Sequence, residues 1–486
     1  MFSLSEPVGP YPVGATTFAL PVRPPRVMGT AKVSAGQADG EHALQLEEVA
    51  FTLYYPTSPS AAKTHRKGMH WLMRPLSDIV RGYSHFTGIA SYILWPLVVC
   101  FGARMKIPVH VNAPLLSPQS QAEDPESSSE IAGQGQAAPW PLVIFSHGLG
   151  GGRTTYSQIC AHLASTGKVV IAMEHRDGTG PVCWPRSAKT GQHYAKLYIS
   201  PDEVIWPPQH DIHNSSDSRF ALRAEQLEFR RREIYFAYSA IRDLALKGER
   251  GALQTVDDTP LDWTHWTGGE WVRCDEKVSI IGHSFGGATV FSILSNTRPE
   301  EDNFPHIPVS HALALDPWLE PLTSPGPEPL AVEDPATKHP KLLVINAEGF
   351  TIWKDHFQRV LEVVPAWTGS NVFTIVGSQH VSFSDFPVMI PAPFGAASAR
   401  PIMNTINTLA AAFLDDALQP ALEKLPTRRM EIRHIPSNWW SKKGKRELVG
   451  NAGDVIVHLP GLPADTCGRT DAADDLQQVA NGHAKL

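Results

Sequence analysis

In Gly282-His283-Ser284-Phe285-Gly286 a serine stands between glycines at the G-x-S-x-G spacing of a sharp strand-to-helix bend. A hydroxyl on such a bend is lifted above a sheet and can attack an ester carbonyl, forming a transient acyl-enzyme. The bend crowds the backbone, so small neighbours are required, and Gly282, Gly286 and Gly287 supply them. The spacing alone is weak, because ordinary Gly and Ser frequencies give about 0.2 chance matches in a chain this long. Its flanks strengthen it: the apolar run Val278 to Ile281 leads in, and the helix-compatible stretch Ala288 to Leu294 leads out. A glycine-rich turn without chemistry is the weaker alternative.

A serine hydroxyl is a feeble nucleophile until a base takes its proton, and the base needs a carboxylate to orient its ring. In this arrangement the chain order is serine, acid, histidine. His380, in NVFTIVGSQH, ends what reads as the last strand, whereas His356, in KDHFQRV, falls on a helical pattern. The acid stays open between Asp316, which ends HALALD, and Glu348, which follows KLLVINA, with Asp385 and Asp355 behind them. Two backbone N–H groups could hold a developing oxyanion: that of Phe285 at the helix start, and that of Leu149 in the loop Ser146-His147-Gly148-Leu149-Gly150-Gly151-Gly152. These glycines do not form a nucleotide cradle, since neither GK[ST] nor G-x-G-x-x-G spacing is present. No HExxH, EF-hand loop or Cys/His cluster occurs, so neither metal nor cofactor is expected. His210 and His213 suggest no third ligand and read as a solvated loop.

From residue 141 onward, short β-branched runs alternate with helical patterns, which predicts an α/β fold with a mostly parallel central sheet and helices on both faces. The predicted strands are Leu142–Ser146, Val169–Met173, Val278–Gly282, Ala312–Leu315, Leu342–Asn346 and Val372–Val376. Ala224 to Leu246 places Leu227, Ile234, Ala237, Ile241 and Leu244 on one face of a covering helix. Upstream, Leu44 to Pro56 alternates like antiparallel strands opening the sheet. Residues 1–462 are expected to form one catalytic domain, with a disordered polar insertion at 117–139 and a loose tail at 463–486.

The 486 residues are 42% hydrophobic and carry a formal charge of −7, which disfavours nucleic acid as a partner. Five scattered cysteines fit a reducing compartment, and without a basic-then-apolar start a cytoplasmic protein is expected. Gly88 to Ala103 carries no charge, yet it is short for a spanning helix and interrupted by Pro96. By periodicity it reads as a buried helix; the rival reading is a helix lying in a lipid interface. The basic run Lys442-Lys443-Gly444-Lys445-Arg446 reads as a solvated loop rather than a lipid contact.

The blocks GPYPVGATTF, LYYPTS, PLVIFSHGLGGGRTTYS, GHSFGGATV, ALDPW and GSQHVSFSDF, from Gly9 to Phe386, resemble the platelet-activating-factor acetylhydrolase family of calcium-independent phospholipases A2. The resemblance implies an α/β-hydrolase fold and a serine esterase that removes short or oxidised sn-2 acyl groups from phospholipids. It implies Ser284 as nucleophile, Asp316 as acid, His380 as base, and Leu149 and Phe285 as oxyanion donors. It also places an interfacial helix at the apolar segment, with Ile89, Tyr92, Ile93, Trp95 and Leu97 as its lipid-facing residues and a peripheral membrane contact as its consequence. The insertion at 117–139, the stretch between Ser284 and Asp316, and residues 183–220 depart from the compact animal enzymes and would border the mouth of the site. A general carboxylesterase or lipase acting on soluble or neutral esters is the alternative enzyme, and an inactive lipid-binding homologue the alternative of another class.

Overall fold

The computed structural model describes residues 3–33, 41–121, 138–207, 220–256, 260–267, 271–299, 302–323, 326–330, 339–367, 369–389, 397–436 and 444–458. Most of the 117–139 insertion, the 463–486 tail, His210, His213, Lys442 and Lys443 lie outside the described residues.

The main strands are β1 (Val13–Val27), β2 (Gln45–Pro56), β3 (Lys67–His70), β4 (Lys106–Val111), β5 (Trp140–Ser146), β6 (Val169–Glu174), β7 (Val278–His283), β8 (Val309–Leu315), β9 (Lys341–Ala347), β10 (Asn371–Ile375) and β11 (Val455–His458). They hydrogen-bond in the order β11-β10-β9-β8-β7-β5-β6-β2-β1-β4-β3, with the short strand Thr427–Arg428 outside β11. The central six, β6-β5-β7-β8-β9-β10, are mutually parallel. The β1–β2 hairpin joins antiparallel through β2 against β6.

Alternate residues of each central strand feed opposite cores, which is why these strands read as unbroken apolar runs. Leu142, Ile144, Ile171 and Ile280 pack with Phe229, Ile234 and Ile241 of α4 (Ala221–Lys247) and with Val290 and Phe291 of α5 (Phe285–Leu294). Val143, Phe145, Val170 and Ile281 pack on the other face with Ile159 and Leu163 of α3 (Ser157–Ser165) and with Ile406 and Leu409 of α7 (Ala399–Leu414). Further helices are α1 (Leu76–Thr87), α2 (Ser91–Leu97) and α6 (Lys354–Val363).

The chain leaves β5 toward β6 on one side and returns with β7 on the other. This reversal opens a crevice beyond the carboxyl ends of β5 and β7, the place where open α/β sheets bind ligands. All six predicted strands are present within a few residues of their expected limits, and Leu227, Ile234, Ala237, Ile241 and Leu244 of α4 are buried.

Two expectations are corrected. The segment from Leu44 to Pro56 contributes one strand, not several; it is antiparallel as expected, to β6 on one side and on the other to β1, whose prolines mask the alternation and whose register shifts between Pro21 and Arg26. The strand before His380 is not the last, because β11 adds antiparallel to β10.

Candidate active site

Strand β7 delivers Ser284 to the crevice as the N-cap of α5, at φ 55° and ψ −117°. Few non-glycine residues adopt positive φ, and a β-strand running straight into a helix leaves no other route. A Cβ on Gly282 would strike the Gly286 carbonyl, and one on Gly286 would strike the Ser146 carbonyl, so both positions exclude any side chain. The bend is pinned to β8 by the Ser284 N–H, which donates to Leu315 O at 2.9 Å.

Asp316 follows β8 at φ 47° and is fully buried. Its Oδ1 accepts from the Ala347 N–H at 2.7 Å, and its Oδ2 lies 2.6 Å from His380 Nδ1. His380 opens the turn His380–Phe383 after β10, and its Nε2 is 2.9 Å from Ser284 Oγ. A buried carboxylate on Nδ1 places the ring proton there, which leaves Nε2 free to accept from the serine hydroxyl. The imidazole is clasped between Phe350, stacked at 4.6 Å and 5°, and His283, at 4.6 Å and 39°. His283, Asp316 and His380 also have the spacing of a cation site, but both His380 nitrogens are taken up by Asp316 and Ser284.

The competing residues are committed elsewhere. Glu348 accepts from the N–H groups of Gly377 (2.9 Å) and Leu448 (3.0 Å), which ties β10 to the C-terminal strands. His356 pairs with Glu320 at 2.9 Å and stacks on Trp353. Asp385 caps α3, accepting from Ser157 N and Gln158 N and from Trp71 Nε1. Asp355 lies in the exposed first turn of α6.

Beside Ser284, the N–H groups of Leu149 and Phe285 have no hydrogen-bond partner among the described residues. Phe285 is the first residue of α5, where helical N–H groups have no intrahelical acceptor. The Gly148–Leu149 peptide is held by its carbonyl, which accepts from His147 Nδ1 at 2.8 Å and from Gly151 N at 3.2 Å. In a trans peptide the N–H points opposite the C=O, so fixing one aims the other. His147 Nε2 accepts from His175 N at 3.1 Å, so the proton of His147 resides on Nδ1. Such a chain of carboxylate, imidazole and hydroxyl, with unpaired N–H groups adjacent, can perform nucleophilic acyl transfer.

Sequence reasoning missed the buried polar layer under this site. Arg223, Gln226, Arg230 and Glu233 recur every three or four residues along α4 and are all buried, opposite the charged run Glu174-His175-Arg176-Asp177 after β6. Four charged or polar residues closing an apolar strand were the available signal. Tyr156, whose hydroxyl bonds His283 Nδ1 at 2.8 Å, was missed for the same reason: its partner is distant in sequence.

Burial couples this layer to pH. It pushes His147 down to about 3 and His458 to about 4, and His283 well below its ordinary value, with the charge of Arg230 reinforcing the effect at His147. These rings stay neutral when folded but protonate near 6.5 when unfolded, so stability falls as pH drops below about 6.5, by about 1.4 kcal/mol per ring per pH unit. Asp385, pushed up to about 6 by burial, works the other way between pH 4 and 6, and the His175–Glu233 pair shares one proton and cancels. Desolvation likewise lowers the pKa values of His70, His110, His162 and His306, which adds in the same direction, so urea unfolding between pH 6 and 4.5 is expected to show a net uptake of protons; pH-independent stability over that window would contradict it.

The apolar segment is not core. Tyr92 is 79% exposed and Leu97 53%, while Ile89, Ile93 and Trp95 are also exposed; no residue of α2 is buried. Leu94 and Val98, one turn apart, are half-buried, as are Ala90 and Ala103 toward the ends of the segment. Among the described residues, no helix is long and apolar enough to cross a membrane.

A mostly parallel sheet in this order, with a serine forced to positive φ between strand and helix at its switch point, defines an α/β-hydrolase. The model of the platelet-activating factor acetylhydrolase, isoform II, family matches residues 8–414, and the chain belongs to that family. It is 31% identical over 247 residues to a platelet-activating factor acetylhydrolase of Gallus gallus, covering 51% of this chain and 53% of that one. A platelet-activating factor acetylhydrolase of Canis lupus familiaris is 28% identical over 339 residues, covering 69% of this chain and 62% of its own. The match thus spans little more than half the length of these relatives. Among solved structures, a ferulic acid esterase from Streptomyces cinnamoneus superposes at a TM-score of 0.49 with 19% identity, over 86% of this chain and 94% of the other.

Proposed function

We propose that this chain is a serine esterase that hydrolyses the short or oxidised sn-2 acyl ester of a glycerophospholipid through an acyl-enzyme on Ser284. The observation that carries this reading is the unbroken hydrogen-bonded run Asp316–His380–Ser284 in a member of the platelet-activating factor acetylhydrolase family. His380 Nε2 takes the hydroxyl proton as Ser284 Oγ bonds to the ester carbonyl carbon. The oxygen, now an anion, is held by the N–H groups of Leu149 and Phe285. Collapse breaks the ester C–O bond, and His380 returns its proton to the departing lysophospholipid oxygen. Water, deprotonated by the same nitrogen, then attacks the acyl group and releases the carboxylic acid and free Ser284.

The test is a set of phospholipids differing only in the sn-2 chain, compared with a soluble nitrophenyl ester. Acetyl and butyryl chains are expected to turn over faster than palmitoyl. Equal rates along the series, or a preference for the soluble ester, would replace the phospholipid assignment with a general esterase.

The exposed α2 segment supports a lipid surface as the place of action, with Ile89, Tyr92, Ile93, Trp95 and Leu97 entering the interface. Burying a large apolar side chain contributes about 1.5–3 kcal/mol, so the double change Trp95→Ser with Leu97→Ser is expected to weaken partitioning onto phosphatidylcholine vesicles by at least about 10²-fold. Hydrolysis of a monomeric short-chain ester should stay unchanged; undiminished vesicle binding would remove the segment from the interface.

A further inference from the structure

Arg230 is buried to 0% exposure in the middle of α4, and no step proposed above uses it. A guanidinium is costly to bury, so its contacts indicate what it is retained for. Its Nε is paired with Asp177 Oδ2 at 2.8 Å, which balances the charge. Nη1 donates to the His147 carbonyl at 2.7 Å, one peptide before the Gly148–Leu149 unit. Nη2 donates to Thr179 Oγ1 at 2.6 Å, and the Thr179 carbonyl accepts the Gly150 N–H at 2.8 Å, one peptide after it. The peptide that carries the Leu149 N–H is therefore bracketed on both sides by groups that converge on one side chain. The same guanidinium lies 4.6 Å from the ring centre of Phe285, the residue of the second N–H. Thus a single rigid fork contacts both halves of the oxyanion site.

We infer that Arg230 is a positioning residue for ester hydrolysis: it sets the direction of the Leu149 N–H group toward the developing oxyanion. The inference rests on the acyl-enzyme reading above. Lysine at 230 keeps the charge but cannot reach the His147 carbonyl and Thr179 together, because it lacks the planar fork.

A structural role alone would slow every substrate equally, so the test compares an oxoester with its thionoester, in which sulfur replaces the carbonyl oxygen. Sulfur is larger and a poorer acceptor, and it gains little from well-aimed N–H groups. Arg230→Lys is expected to lower kcat on the nitrophenyl oxoester by about 10²-fold, the scale of losing one oxyanion donor, with little change in KM. The thionoester rate should change far less, so the oxo-to-thiono ratio collapses. Thr179→Val, which removes the Nη2 acceptor together with the Thr179 hydroxyl's hydrogen bond to Asp177 Oδ1, should shift the ratio in the same direction by a smaller factor and decides the matter if Arg230→Lys does not fold. Folded protein is counted by circular dichroism in each case. Folded variants with an unchanged ratio would overturn the proposal, whatever their thermal stability. Turnover by Ser284→Ala would instead overturn the acyl-enzyme reading, leaving the two failures distinct.

Discussion

Ser284→Ala is expected to abolish ester hydrolysis, lowering kcat/KM by about 10⁶-fold, the loss seen when the nucleophile is removed from a unit of this kind. The fold should survive, for reasons visible in the geometry. Ser284 Oγ makes one side-chain bond, to His380 Nε2, and the His380 side chain is 33% exposed, so water can replace that partner. Alanine carries the same Cβ as serine and adds no strain at φ 55° beyond what the bend already bears. The N–H of residue 284 still donates to Leu315 O, and the Trp318 N–H still reaches the carbonyl of residue 284. A phosphonate ester should label the parent chain at Ser284 alone and the variant nowhere. Labelling of another serine, or a variant that keeps more than about a thousandth of the parent rate, would show that the nucleophile lies elsewhere.

What was legible in the sequence followed from local pattern. Strands buried on both faces appear as continuous apolar runs, and the serine was legible because an apolar strand, a glycine-spaced bend and a helix follow each other without interruption. His380 stood apart from His356 for a similar reason: one follows a strand and the other sits within a helix. Strand β1 was hidden because Pro21, Pro24 and Pro25 interrupt its alternation, although an antiparallel partner holds it in place. The acid could not be chosen from the residues themselves, since Asp316 and Glu348 both close a β-strand. Three-dimensional wiring separates them: Asp316 turns back at positive φ toward His380, while both Glu348 oxygens accept backbone N–H groups. Arg230, and the capping role of Asp385, which had been weighed only as a candidate acid, were not legible because their partners are 53 and 227 to 314 residues away, and no local period records such a pairing.

Asp316→Asn is expected to cost about 10⁴-fold in kcat while leaving substrate binding intact. The amide has one acceptor and one donor where the carboxylate had two acceptors, so one of its two neighbours must lose. If the amide oxygen stays on the Ala347 N–H, the NH₂ faces His380 Nδ1 and forces that nitrogen to accept. The ring proton then moves to Nε2, where it points at Ser284 Oγ and blocks proton transfer. If the amide flips, its NH₂ confronts the buried Ala347 N–H, and an unsatisfied buried donor costs about 1–3 kcal/mol. The first orientation is therefore preferred, and it carries the wrong tautomer. Glu348→Gln is the matched control, because it exchanges an acceptor for a donor at Gly377 or Leu448 without touching His380. It should lower thermal stability by about 1–3 kcal/mol and leave kcat near the parent value. Rates and melting curves for the two variants side by side decide the assignment: if Glu348→Gln shows the larger fall in kcat, the imidazole is oriented by a carboxylate other than Asp316.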